Sequence, residues 1–78
     1  MNEENVWVIT RTFIHISGST GVELLWVSKT QESAERAVSD FIDENNELFY
    51  DYDMPFDNEI RYFTNKSTYV IERCPVNN

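Results

Sequence analysis

The chain is 78 residues long, 41% hydrophobic and 14% aromatic, which sets it as a single domain over residues 1–78 and excludes a disordered or low-complexity chain. One cysteine excludes an internal disulfide framework, no apolar run nears the ~18 residues of a membrane span, and the Met1-Asn2-Glu3-Glu4 start is not that of a signal peptide, so a cytoplasmic location is expected. A net charge of −8, from 14 acidic against six basic side chains, argues against direct binding to nucleic acid or anionic lipid, because phosphate contacts need clustered Lys and Arg.

Residues Val6 to Ile16 are rich in β-branched and aromatic side chains and predict a first strand. Val6, Val8, Ile14 and Ile16 fall on one face; Trp7, Ile9, Phe13 and His15 fall on the other. Neither face is polar, so a second layer is expected over part of one of them. Ser17-Gly18-Ser19-Thr20-Gly21 predicts a turn, with two glycines to supply positive φ. Val22 to Val27 then returns as the second strand of a hairpin.

Thr30 is the expected N-cap of a helix. Ala34, Ala37, Val38, Phe41 and Ile42 follow at helical spacing and form one apolar stripe. The stripe either continues to Leu48 and Phe49 or ends at Asn45-Asn46. Asp40, Asp43, Glu44 and Glu47 fall on the outer face of such a helix, where their charge would be exposed together.

Residues 50–59 have neither period, and Pro55 biases Met54 away from helical geometry, so this segment is expected to be a surface loop. Ile60 to Phe63 and Thr68 to Cys74 are strand-like, either as two strands around a tight turn at Thr64-Asn65-Lys66-Ser67 or as one bent strand. The expected class is therefore α+β, a small antiparallel sheet with one helix on one face, ordered β-β-α-β-β or β-β-α-β.

Sites for chemistry are few. The only histidine, His15, sits inside a predicted strand, where such a residue is more often structural than catalytic. Cys74 has no cationic cluster in the sequence around it to activate the thiol. Asp51-x-Asp53 resembles the start of a calcium loop, but Pro55, Phe56 and Tyr62 occupy positions that such a loop needs otherwise. Gly18 and Gly21 lie in a hairpin with no helix start or Lys behind them, so no phosphate cradle is indicated. No catalytic residue, cofactor or metal is expected, and the protein is read as non-enzymatic.

Charge distribution says more than the total. Residues 37 to 60 hold eight acids and no Lys or Arg, while the remaining 54 residues balance to zero. Within that block, carboxylates alternate with Tyr, Phe and Met from Glu47 to Glu59. Aromatics and Met favour interface cores, and unbalanced acidity selects a basic partner. The expected partner-binding residues are Asp43, Glu44, Glu47, Asp51, Asp53 and Asp57 for charge, with Tyr50, Tyr52 and Phe56 for contact area. A solvated acidic face with its aromatics folded into the core accounts for the same pattern. A self-associating or structural module using the first strand or a sheet edge is the alternative function.

The order of elements resembles that of small uncharacterised β-β-α-β proteins of bacteria and phages. The resemblance rests on Val6-Trp7-Val8-Ile9-Thr10, Trp26-Val27-Ser28, Glu32-Ser33-Ala34-Glu35-Arg36-Ala37-Val38 and Tyr69-Val70-Ile71. Size and acidity also look like small phage inhibitors of host defence nucleases, including anti-CRISPR proteins. That resemblance implies action in a host cytoplasm, by imitating nucleic acid or occluding a subunit contact on a basic, nucleic-acid-handling protein or nuclease. It assigns no role to any residue.

Overall fold

The computed structural model describes residues 4–14 and 17–76. In chain order these form β1 (Glu4–Ile14), β2 (Thr20–Ser28), α1 (Gln31–Glu44), β3 (Phe49–Phe56), β4 (Glu59–Thr64) and β5 (Ser67–Val76). The strands make one sheet in the order β2-β1-β5-β4-β3, every pairing antiparallel. This is the expected α+β class with one helix, but the order is β-β-α-β-β-β. Two strands, β4 and β5, occupy the last segment, and the expected loop at 50–59 is for the most part β3.

The reason for that correction is local. Tyr50-Asp51-Tyr52-Asp53-Met54 alternates at period two, the strand repeat. Asp and Pro are poor strand formers. An edge strand tolerates both, because one side of its ladder needs no donor. β3 is such an edge, with register shifts on either side of Asp51–Asp53 and a turn at Asp57-Asn58 leading to β4.

β1 runs through the sheet between β2 and β5, so the first strand has no free edge of its own and cannot offer the strand pairing considered for it. Its two apolar faces have a simple origin. Trp7 and Ile9 point to the helix side, in register with Arg73 and Ile71; Val6 and Val8 point to the bare side. In the first hairpin Gly18 takes the positive φ (88°), whereas Gly21 lies in β2 opposite Phe13. His15 and Ile16, with the expectations placed on them, lie outside the described residues.

The core is the contact between the apolar stripe of α1 and one sheet face. Ala34, Val38 and Ile42 pack against Ile9, Ile60, Tyr69 and Ile71. Ile9, Ile71 and Ile60 stand side by side across β1, β5 and β4. Full burial of each such side chain contributes about 1.5–3 kcal/mol. Thr30 caps the helix, its hydroxyl accepting from the Ser33 N–H at 3.1 Å. The helix ends at the Asn pair. Asn46 adopts a left-handed φ of 54°, its N–H bonds Asp43 O, and the Glu47 N–H bonds Ile42 O. That is a Schellman closure, with Asn in the place that glycine usually takes.

α1 lies over β2, β1 and β5. β3 and the outer part of β4 are therefore left open on the helix side. Among the described residues no helix is long and apolar enough to cross a membrane.

Candidate functional site

The open strip beside the helix is floored by aromatic and aliphatic groups. Tyr62 of β4 lies opposite Tyr52 of β3, so both point to the helix side. The Tyr62 ring stands 6.2 Å from Phe49 and 6.4 Å from Tyr52, centroid to centroid. Its hydroxyl donates to Glu35 Oε1 on α1 at 3.4 Å. Burial, then the charge and hydrogen bond of Glu35, push the Tyr62 phenol up to about 12, so it remains a donor at any physiological pH.

Two clefts join at Glu35 and Tyr62 to make one groove between α1 and the β3–β4 hairpin. One, of about 300 Å³, has Ser39, Asp43 and Phe49 in its walls. The other, of about 250 Å³, adds Gln31, Tyr52 and Met54. Glu35, Ser39 and Asp43 fall four residues apart and line one flank of the helix. The groove thus has an apolar floor and a rim that carries two carboxylates.

Of the expected partner-binding residues, Asp43 and Tyr52 belong to this groove. Glu44 is the last residue of α1, Tyr50 lies at the register shift of β3, and Asp57 lies in the β3–β4 turn. Phe56 pairs with Glu59 at the end of the hairpin. Asp51 and Asp53 pair with Phe63 and Arg61, positions that alternate with Tyr62 and so face away from the helix. The acidic block is therefore not one face: helix carboxylates lie on one side of the β3 edge and strand carboxylates on the other. Read as a loop, the segment gave no such division between two sheet faces.

Glu47 requires a firmer correction. It does not continue the helix face with Asp40, Asp43 and Glu44, because the Asn46 turn diverts the chain inward. Its side chain is 0% exposed. Tyr69 Oη donates to Glu47 Oε2 at 2.6 Å, the Thr64 hydroxyl donates to Oε1, and Arg11 Nη2 lies 3.5 Å from Oε2. Arg11 in turn donates to Ser67 Oγ at 2.8 Å and pairs with Glu23 at 3.0 Å. Glu47 is a structural anchor with no surface to offer a partner.

The other acids are a different case. Among the described residues, the ion pairs join Arg11 to Glu23 and Glu47, Arg36 to Glu32, and Arg61 to Glu59. None reaches Asp40, Asp43, Glu44, Asp51, Asp53 or Asp57, all of which are exposed. These six carboxylates thus form no contact ion pair among the described residues, although Asp53 stands opposite Arg61 in the β3–β4 register. Phe49, Tyr50, Tyr52, Met54 and Phe56 are each at least 50% exposed, so the aromatics of β3 are not folded into the core.

Glu35, Ser39, Phe49, Met54 and Tyr62 went unrecognised as site residues in the sequence. The available signal was the i, i+4, i+8 spacing of Glu35, Ser39 and Asp43 beside the apolar stripe. Cys74 is half-buried on β5, and burial followed by the charge and hydrogen bond of Glu72 raises its thiol pKa, which keeps it protonated. Among the described residues no group of three or more His, Cys, Asp and Glu side chains could hold a metal ion. Neither protein-family models, curated proteins nor solved structures contain a match to this chain.

Proposed function

We propose that the protein is a non-enzymatic interaction module that binds a basic, nucleic-acid-handling protein and inhibits or regulates it, in the manner of the phage inhibitors its size and acidity resemble. The observation that carries this reading is the juxtaposition of an open aromatic groove with six exposed carboxylates that form no ion pair among the described residues. A Lys or Arg side chain of the partner fits this surface. Its aliphatic stem lies over Phe49 and Tyr62, and its charged head meets Glu35 or Asp43. Asp51, Asp53 and Asp57, on and beyond the edge of β3, supply the longer-range attraction that speeds encounter. Carboxylates on both flanks of one strand present negative charge as a ridge, a shape that a nucleic-acid cleft would accept.

Affinity capture from the source or host cell, at low and at high salt, tests this. A specifically retained basic protein, released by salt, is expected. Reversal of Asp51 and Asp53 to Lys should weaken its binding about tenfold, equivalent to about 1.4 kcal/mol, and flatten the salt dependence. The variant Tyr52→Ala should weaken binding without altering the salt slope. Retention that ignores both salt and charge reversal would sink the proposal.

A further inference from the structure

The groove between α1 and the β3–β4 hairpin has a repeat of its own. Asp43, Ser39 and Glu35 follow at four-residue intervals along one flank of the helix, a rise of about 6 Å per step at ~1.5 Å per residue. Glu35 and Asp43, both exposed, thus stand about 12 Å apart along the axis. Between them, at the level of Ser39, Val38, Ile42, Phe49 and Tyr62 surround the cleft of about 300 Å³. Carboxylate, apolar cleft and carboxylate therefore follow in line. Among the described residues no Lys or Arg lines either cleft. Arg36 on the same helix is turned to Glu32, and Lys66 to the Asn45 carbonyl beyond the helix end. The Tyr62 hydroxyl bonds Oε1 of Glu35, and a carboxylate accepts several donors, so Glu35 can still receive a cation.

We propose that this groove takes an extended basic segment of the partner that reads cation-x-apolar-x-cation and lies along α1. The proposal rests on the reading of the groove as the partner site, and it adds the order and spacing of the groups recognised. In an extended chain, side chains on one face recur every two residues, ~6.6 Å apart. That repeat runs nearly in step with the helix flank. Lys or Arg at the first and fifth positions are ~13 Å apart, so they meet Asp43 and Glu35 at once. The apolar side chain at the third position falls beside Ser39 and fills the cleft over Phe49 and Tyr62. A helical segment spans the same distance only with cations eight residues apart, and each cleft has room for one or two side chains, not for a rod ~10 Å across.

Chemical-shift titration of the full, isotope-labelled chain with the end-blocked peptide Gly-Lys-Ser-Leu-Ser-Lys-Gly is the test. Saturable binding on the order of a millimolar or tighter is expected, with shifts centred on Glu35, Ser39, Asp43, Phe49 and Tyr62. Placing the two lysines side by side, as Gly-Lys-Lys-Ser-Leu-Ser-Gly, keeps the composition and should weaken binding about fivefold. Replacing the leucine by serine should weaken it about tenfold. Glu35→Gln, which keeps an acceptor for Tyr62, and Asp43→Asn should each weaken it about threefold while circular dichroism stays at wild type. Glu72→Gln removes the same charge from the opposite sheet face, where Glu72 pairs with Val8, and should leave binding unchanged. No saturation at several millimolar peptide overturns the proposal. So does equal affinity for the two lysine spacings, binding indifferent to Glu35→Gln and Asp43→Asn, or tighter binding of a helical peptide with its cations eight residues apart. A basic partner still captured, and still sensitive to reversal of Asp51 and Asp53, would then leave the proposed function standing. Peptide binding with no basic partner captured would remove that function and keep the ligand of the groove.

Discussion

A carboxylate taken out of water destabilises a fold unless donors and a cation surround it. Glu47 meets that condition through Tyr69, Thr64 and Arg11, which join the end of α1 to β1, β4 and β5. Desolvation, the largest influence, pulls its pKa upward; bonds from Thr64, Tyr69 and Ser67 and the Arg11 charge outweigh it and hold the carboxyl below its ordinary 4.5. As pH falls, the unfolded chain takes up this proton before the folded one does. The stabilisation is therefore complete above about pH 4.5 and is lost as pH drops through the lower native value. Glu47→Gln should destabilise by about 2 kcal/mol at neutral pH, lowering the melting temperature by about 10 °C. Melts at neutral and acid pH check the sign: the gap between wild type and variant should narrow as pH falls. This residue was illegible in the sequence because position 47 continues the spacing of Asp40, Asp43 and Glu44. Only the turn at Asn46 removes it from their face.

Elements were read with uneven success, and the failures share a cause. The helix was legible because its stripe and its Thr30 cap agree with one another, whereas its end, open in the sequence between Asn45-Asn46 and Leu48-Phe49, is decided by the turn at Asn46. β1, β2, β4 and β5 were legible from β-branched and aromatic content. β3 was not, because Pro55 and its aspartates oppose strand propensity, and their tolerance depends on its lying at an edge, a fact of the whole sheet. The helix end offers a direct check on the reading of local geometry. Asn46 holds φ at 54°, a conformation easiest for glycine. Asn46→Gly should raise the melting temperature by a few degrees, whereas Asn46→Ala should lower stability by about 1 kcal/mol. Equal melting temperatures for the two variants would mean that the closure contributes nothing. The same pair should move Glu47: loosening of the turn in Asn46→Ala should steepen the acid limb of the melting profile.

At the scale of the molecule, the acids concentrate on one part of the surface, where they are interleaved with exposed aromatic groups. β2 exposes Val22, Leu24, Trp26 and Val27; the β3 edge and the outer helix face carry carboxylates that join no ion pair among the described residues. This arrangement was half visible in the sequence, where the acids cluster between 37 and 60 but nothing reveals that strand alternation sends Asp51 and Asp53 to the side opposite Asp43. Unanswered like charges oppose compaction, and the opposition is screened by salt over a Debye length of ~10 Å at 0.1 M. Stabilising ion pairs are screened too, but Arg36–Glu32 is exposed and contributes little, and Arg61–Glu59 is only half-buried. Repulsion should therefore win, and sodium chloride should stabilise the isolated protein by about 1 kcal/mol between low and near-molar concentration. Melting in a salt series measures it. Charge reversal at Asp51 and Asp53 should both raise the melting temperature at low salt and shrink the salt effect, because two repelling groups become attracting ones. A melting temperature that falls with salt would mean that the ion pairs dominate and that the acidic ridge is not held against its own repulsion.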